Sequence, residues 1–382
     1  MPKEVFKIVK KMAPDFIYDL IKLNYFNYNF RQQQTASIPR MPRRVCVLGA
    51  GVIGLSSAVC IQELVPDADV TVVADTFTPH TLSDNCAGFW MPYLIDPSNT
   101  NVLRWCGDTF EYLKRLGHSE LAGDIGIQFV SGYYFVRESA YTGKEPPWKD
   151  QVIGFRQLTP EELNICPNAR DGYFFTTIIM DVKRFLPWLT KRILDKGGKL
   201  RNKKIQNMDE LTEEYDIVVN CSGMGANQLC NDSRLHPLRG QVIKVAAPWV
   251  KHFYMNPDPT DDHKEVYILP GPDTVTIGGT GQFDDWNTSV DGQDKQRIVE
   301  DVCKLVPSLR TAKRLQDWVG LRPLRSPVRL EAEEKLSKSG RKTVIHNYGH
   351  SGSGVTFHWG CAKDTAHLVK QAFETHQVTS RL

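Results

Sequence analysis

The stretch RRVCVLGAGVIGLSSAVCIQELV, from Arg43 to Val65, leaves the chain few ways to begin its fold. Val45 to Leu48 is a short unbroken apolar run, the pattern of a strand buried on both faces. Gly49-Ala50-Gly51-Val52-Ile53-Gly54 follows at once, and a helix-length apolar stretch runs on to Val65. DADVTVVAD then supplies a second strand ending in Asp75. Gly49 permits the tight turn, Gly51 lets a pyrophosphate approach the backbone, and Gly54 lets the helix pack on the strand. The N–H groups at the helix N-terminus are then offered to phosphates. Asp75 lies about 20 residues beyond the glycines, where a carboxylate holds a ribose hydroxyl. Strand, glycines, helix, strand and terminal acid in this order predict a dinucleotide site. A glycine-rich turn without a ligand is the competing reading.

Two further glycine turns lie far from the first. YDIVVNCSGMGAN predicts a buried strand from Tyr215 to Asn220, with Ser222 and Gly223 turning beneath it. TVIHNYGHSGSGVTFHWG predicts a strand from Thr343 to Asn347, a glycine turn, then a helix. A nicotinamide enzyme usually completes its cofactor domain contiguously, so this dispersion favours FAD. The cofactor set read here also takes in Thr81, Ser83, Ala87 and Gly88 from the hydroxyl-rich loop after Asp75, Ile205, and the run Ser351, Gly352, Ser353, Gly354, Val355 and Thr356. Backbone N–H groups of that last run would stabilise negative charge on a reduced flavin. A metal site at His346, His350 and His358 is the alternative, but no carboxylate or cysteine falls nearby in a ligand pattern; no metal is expected. His350 is read as shaping the turn, the other two as packed structural residues.

Composition excludes several classes. A net charge of +3 with both signs mixed, and no basic block, argues against nucleic acid as a partner. Nine cysteines, scattered singly among apolar residues, read as reduced buried thiols. FIYDLIKLNYFNYNF near the start is too short and too polar to span a bilayer. Residues 1–40 are an extension of unknown role, read as an amphipathic helix or a weak organelle presequence, with Met41 as an alternative natural start. The tail ends in Ser380-Arg381-Leu382, a variant of the Ser-Lys-Leu peroxisomal address. It predicts recognition by the peroxisomal import receptor and a peroxisomal matrix location, the cytoplasm being the fallback.

From about Arg43 onward the chain resembles the D-amino-acid oxidase and D-aspartate oxidase family. VCVLGAGVIGLSSAVCI, DTFTPHTLSD, AGFWMPYL, PWKDQVIGFRQLTPEEL, VVNCSG, LRGQV, VYILPG, VTIGGT, VGLRPLR and HNYGHSGSGVTFHWGCA carry the resemblance. It implies an α/β fold: a Rossmann-like FAD domain with a parallel sheet (41–95, 195–235, 325–375), interleaved with a mixed-sheet substrate domain (96–194, 236–324). Residues 376–382 form a tail. It also implies oxidative deamination of a D-amino acid by hydride transfer to FAD, with oxygen as second substrate and a 2-oxo acid, ammonia and hydrogen peroxide as products. No acid or base side chain is required if the bound amine is neutral. A homodimer is a further expectation.

By the same resemblance, Arg322 clamps the substrate α-carboxylate, Tyr267 hydrogen-bonds it, and the Gly352 carbonyl accepts from the amine. A planar, permanently charged guanidinium suits the first role. The sequence departs from the family at three places. His263 stands where many members carry a second tyrosine, and Met91 where a glutamine is expected. Gly281 follows GGT where D-aspartate oxidases usually place an arginine that reads the side-chain carboxylate. Neutral D-amino acids are therefore favoured. D-aspartate stays open through His263 and Lys264. Glycine or N-methyl amino acids, and a non-catalytic dinucleotide-binding protein, are the remaining classes.

Overall fold

The computed structural model describes residues 43–93, 99–258, 260–261, 265–338 and 340–379. The extension 1–40 with Met41, His263 and Lys264, and Ser380-Arg381-Leu382 lie outside them.

Strand β1 (Arg43–Leu48) leads through the glycine turn into helix α1 (Val52–Leu64), and β2 (Ala68–Ala74) returns parallel to β1. Strands β6 (Lys199–Asn202), β7 (Ile217–Asn220) and β14 (Gly340–His350) extend this parallel sheet in the order β14-β7-β1-β2-β6. The unbroken apolar runs have a direct cause. Val45, Val47, Val72 and Val219 pack under α1 and the helix α5 (Gly354–Thr379), while Cys46, Leu48, Val73 and Val218 turn to a separate cluster with Met208, Leu211 and Tyr215. Period-2 alternation with both faces covered leaves no solvent side to mark in polar residues. Helix α1 touches the sheet, α5 and α3 (Val182–Asp195), so it too is apolar on most faces.

The remaining strands form a mixed layer that continues the same sheet: β4 (Ile153–Gln157), β5 (Ala169–Met180), β3 (Ile127–Arg137), β9 (Phe253–Pro257), β10 (Glu265–Pro270), β11 (Val275–Gly278), β8 (His236–Ala246) and β13 (Lys313–Ser337), in that spatial order. The short β12 (Gln282–Phe283) pairs with β8 off this path. All these pairings are antiparallel except β3 with β9. Helix α4 (Gly292–Leu305) closes one face with Ile298 and Val302 against Ile243, Ile268 and Ile277. Helix α2 (Val102–Gly117) packs against α5. No helix of the described residues is long and apolar enough to cross a membrane.

Strand β13 joins the two layers. Lys313–Leu324 pairs with β8, whereas Leu324 and then Arg329–Ser337 pair with β14, and the register with β14 breaks between Leu324 and Arg329. At the break, the buried Arg325 donates from Nε to Asp232 Oδ2 at 2.7 Å, and the Tyr348 hydroxyl donates to the same oxygen at 2.7 Å. This pins the bend in the strand that carries Arg322.

Burial alone would raise the Asp232 carboxyl. Bonds from Tyr348, Arg325 and the Arg234 amide outweigh it and hold the group below the ordinary carboxylate range. A carboxyl depressed by folding stabilises the protein above its unfolded pKa and loses that contribution as pH falls through the folded value. Asp232→Ala also strands a buried guanidinium, so it should cost roughly 3–5 kcal/mol at pH 7. Urea unfolding of both proteins across a pH series checks this; the gap should narrow as pH falls below the ordinary carboxylate range.

Candidate active site

A cavity of about 660 Å³ lies along the strand ends of the parallel layer and over the face of the mixed layer, within the usual size of ligand sites. Every residue that the sequence assigns to the cofactor lines it, except Gly54, Ser353 and Thr356. The β1–α1 turn shows why glycine is needed. Gly49 has φ of +111°, and a Cβ at Gly54 would collide with the Gly49 carbonyl oxygen. Gly51 caps α1 without a side-chain bond, and the Val52 N–H donates to Ser83 Oγ at 3.1 Å. Asp75, exposed at the end of β2, lines the same cavity as Ile205 and as Lys203 and Lys204, which sequence reasoning passed over. The Thr81 hydroxyl is already engaged, donating to Asp84 Oδ2 at 2.7 Å.

The cavity also holds groups that ask for a ligand. Asn347 Oδ1, His350 Nε2 and Ser351 Oγ are buried without a hydrogen-bond partner among the described residues, and all three residues line it. Ser351 sits at φ of +52°, strained for a side chain of its kind. Buried polar atoms without partners are costly unless a ligand or water satisfies them. An uncapped helix start, a glycine cradle and these unpaired atoms in one elongated space fit a dinucleotide.

Two of the three assigned residues absent from the wall, Ser353 and Thr356, support it from behind. Thr356 Oγ1 accepts from the Met91 N–H at 3.1 Å and donates to the Met91 carbonyl at 2.8 Å. Ser353 Oγ does the same for Tyr93, at 2.9 and 2.6 Å. The start of α5 thereby clamps the segment that carries Tyr93 into the cavity.

At the mixed-sheet end, Arg322 on β13 and Tyr267 on β10 lean toward each other across β8 and β11. Each lies on a glycine. A Cβ at Gly240 of β8 would collide with the Arg322 guanidinium, and one at Gly278 of β11 with the Tyr267 ring. Arg322 Nη1 donates to the Thr280 carbonyl at 2.8 Å. Burial pushes the Tyr267 phenol up, against the pull of Arg322, so at neutral pH its hydroxyl keeps its proton and can donate. Met255, Val242, Leu269 and Trp318 supply apolar wall. Gly352 lines the cavity between the Tyr93 ring, 2.7 Å from where its Cβ would stand, and the Arg322 stem.

Glu265 is the residue that sequence reasoning missed here. It starts β10, two residues before Tyr267, so strand alternation turns both to the same face, and both line the cavity. The Tyr93 hydroxyl donates to Glu265 Oε1 at 2.6 Å. Burial raises the carboxyl above its ordinary range, opposed by the Tyr93 bond and the Arg322 charge. Gly281, expected at the mouth of the side-chain pocket, is not on the cavity wall. A Cβ there would stand 3.4 Å from the Tyr93 hydroxyl and 3.5 Å from Glu265 Oε1.

The three histidines of the C-terminal motif part company. His346 Nε2 meets Glu333 at 3.0 Å, and His358 Nδ1 meets Ser56 Oγ at 2.8 Å. His350 faces the cavity. Burial brings His350 and His358 down to about 3, so both rings are neutral at physiological pH.

Gly54→Ala forces a Cβ into the Gly49 carbonyl. It should cost roughly 1–3 kcal/mol and lower the flavin bound per chain. The ratio of flavin to protein absorbance, read beside far-ultraviolet circular dichroism, checks it.

Comparison with known proteins agrees with this geometry. A family model described as FAD dependent oxidoreductase matches residues 44–368. The chain is 43% identical to a D-aspartate oxidase of Homo sapiens over 329 residues, covering 86% of this chain and 95% of that protein. It is 36% identical to a D-amino acid oxidase of Dugesia ryukyuensis, covering 85% and 97%. In fold it resembles the crystal structure of glycine oxidase from Geobacillus kaustophilus, with a TM-score of 0.69 at 17% identity, covering 86% and 95%. A dinucleotide cradle and an arginine–tyrosine pair share one cavity in a chain matched almost end to end beyond residue 43, and the chain belongs to the FAD-dependent D-amino-acid and D-aspartate oxidase family.

Proposed function

We propose that this enzyme oxidatively deaminates D-amino acids with uncharged side chains, consuming oxygen and releasing a 2-oxo acid, ammonia and hydrogen peroxide. The observation that carries the reading is the Arg322–Tyr267 pair at one end of the dinucleotide cavity. FAD, when bound there, supplies the two-electron acceptor for the substrate α-hydrogen. It would be held by the Gly49–Gly54 turn, Ser83, Asp75 and the start of α5. The chain itself does the positioning. The Arg322 fork takes both oxygens of the α-carboxylate. Tyr267 adds a neutral donor, and the Gly352 carbonyl accepts from the amine. Two pinned groups fix the direction of the α-hydrogen, which is how such a site selects one enantiomer. Met255, Val242 and Leu269 set apolar wall beside the pair.

Gly281 lies behind Glu265 and not on the wall, and it supplies no cation to that end of the cavity, which supports a preference for uncharged side chains. A D-aspartate oxidase is the second reading, supported by the 43% identity to the human enzyme of that name. Peroxide as product accords with the address Ser380-Arg381-Leu382, and a homodimer accords with the resemblance. A fluorescent fusion to the last residues should enter peroxisomes, and one lacking the final three should stay out.

Arg322→Ala should lower kcat/KM at least about a hundredfold for every D-amino acid, because a buried charge pair loses its donor. Arg322→Lys should recover little of it, since one ammonium cannot copy the planar fork. A peroxide-coupled assay reads both. In the same assay D-alanine or D-methionine should exceed D-aspartate in kcat/KM, because a second carboxylate would be buried unpaired. The reverse order would favour the second reading.

A further inference from the structure

We propose that Glu265, held by Tyr93, sets the charge tolerance of the side-chain pocket, disfavouring acidic D-amino acids against neutral ones while admitting those with an ammonium or guanidinium side chain. The inference rests on the reading that this cavity takes D-amino acids. Three observations carry it. Glu265 shares its strand face with Tyr267, so it borders the place where a substrate anchored by Arg322 extends its side chain. Its orientation is fixed. Tyr93 donates to Oε1 at 2.6 Å and is itself clamped at both backbone groups by Ser353 Oγ. The guanidinium of Arg322 has the Thr280 carbonyl as a partner of its own, 2.8 Å from Nη1.

A carboxylate at this wall repels a second carboxylate and attracts a cation, in a medium where charge is screened less than in water. It also changes what Gly281 means. A side chain grown from Gly281 would begin 3.5 Å from Glu265 Oε1. An arginine there would pair with Glu265 before it met any substrate. Acid specificity in this chain therefore needs two changes: loss of the Glu265 charge and gain of a cation at 281.

The test uses the flavin-loaded enzyme and substrate pairs of similar size, each compared between wild type and variant so that the size difference cancels. kcat/KM is measured for D-asparagine against D-aspartate and for D-lysine against D-methionine, in the wild type, Glu265→Gln, Gly281→Arg and the double variant. The glutamine keeps an acceptor for Tyr93. The wild type should favour D-asparagine over D-aspartate by more than about tenfold, the effect of a single unit charge worth about one pKa unit. Glu265→Gln should shrink that ratio and lower the D-lysine to D-methionine ratio, each about tenfold. The double variant should move toward D-aspartate further than Gly281→Arg alone. Unchanged ratios in Glu265→Gln, with D-methionine still oxidised, would overturn the inference and leave the activity standing. If Glu265→Gln fails to fold, the wild-type ratios decide, and equal use of D-asparagine and D-aspartate overturns it. If no D-amino acid is oxidised, the activity reading fails. Calorimetric binding of butyrate against succinate then settles Glu265: a butyrate preference reduced in Glu265→Gln supports it, and a preference absent from the wild type overturns it.

Discussion

The charge of Arg322 cannot be titrated away, and much of the mixed sheet is arranged around that fact. Taking a guanidinium out of water is costly unless its donors find acceptors. The chain meets part of this need with the Thr280 carbonyl, and it strips β8 of a side chain at Gly240 so that the fork can lie flat. What remains faces the cavity beside Tyr267. A carboxylate that enters there brings acceptors in the same planar geometry as the fork, so affinity and orientation come from one contact.

The proposed anchor depends on the continuity of the sheet. β13 pairs with the mixed layer up to Leu324 and with the parallel layer from Leu324 onward, so Arg322 and the dinucleotide turn are registered on one framework. Arg325, Asp232 and Tyr348 hold the bend between them. The turn before α5 and the first residues of that helix have two faces of action. Gly352 and Gly354 line the cavity, while Ser353 and Thr356 fasten the segment that presents Tyr93 to Glu265.

The dinucleotide half was legible because its constraints are local. Buried strands must be apolar throughout, and the turn needs glycine at fixed offsets. The expected strand Val45–Leu48 and helix to Val65 appear as Arg43–Leu48 and Val52–Leu64. β14 was read short, from Thr343 to Asn347, because its ends are fixed by pairing with β13 and not by its own pattern. β13 itself was hidden. LRPLRSPVRLEAEEKLS carries two prolines and a polar second half, which argue locally against a strand. Glu265 was hidden for another reason: the motif was read from Val266 onward, although alternation from Tyr267 points back to 265. The roles of Ser353 and Thr356 depend on contacts some 260 residues away in sequence, which no local pattern shows.

We propose that Arg322 and Tyr267 form a seat for a carboxylate in the flavin cavity. The most direct test of that seat needs no turnover and no variant. The flavin-loaded protein is titrated with an unreactive monocarboxylate and with the corresponding carboxamide, following the flavin absorbance at equilibrium. The account predicts carboxylate binding about 10- to 100-fold tighter than that of the amide, as expected for losing a hydrogen bond to a charged group. Equal affinity for the two would contradict it.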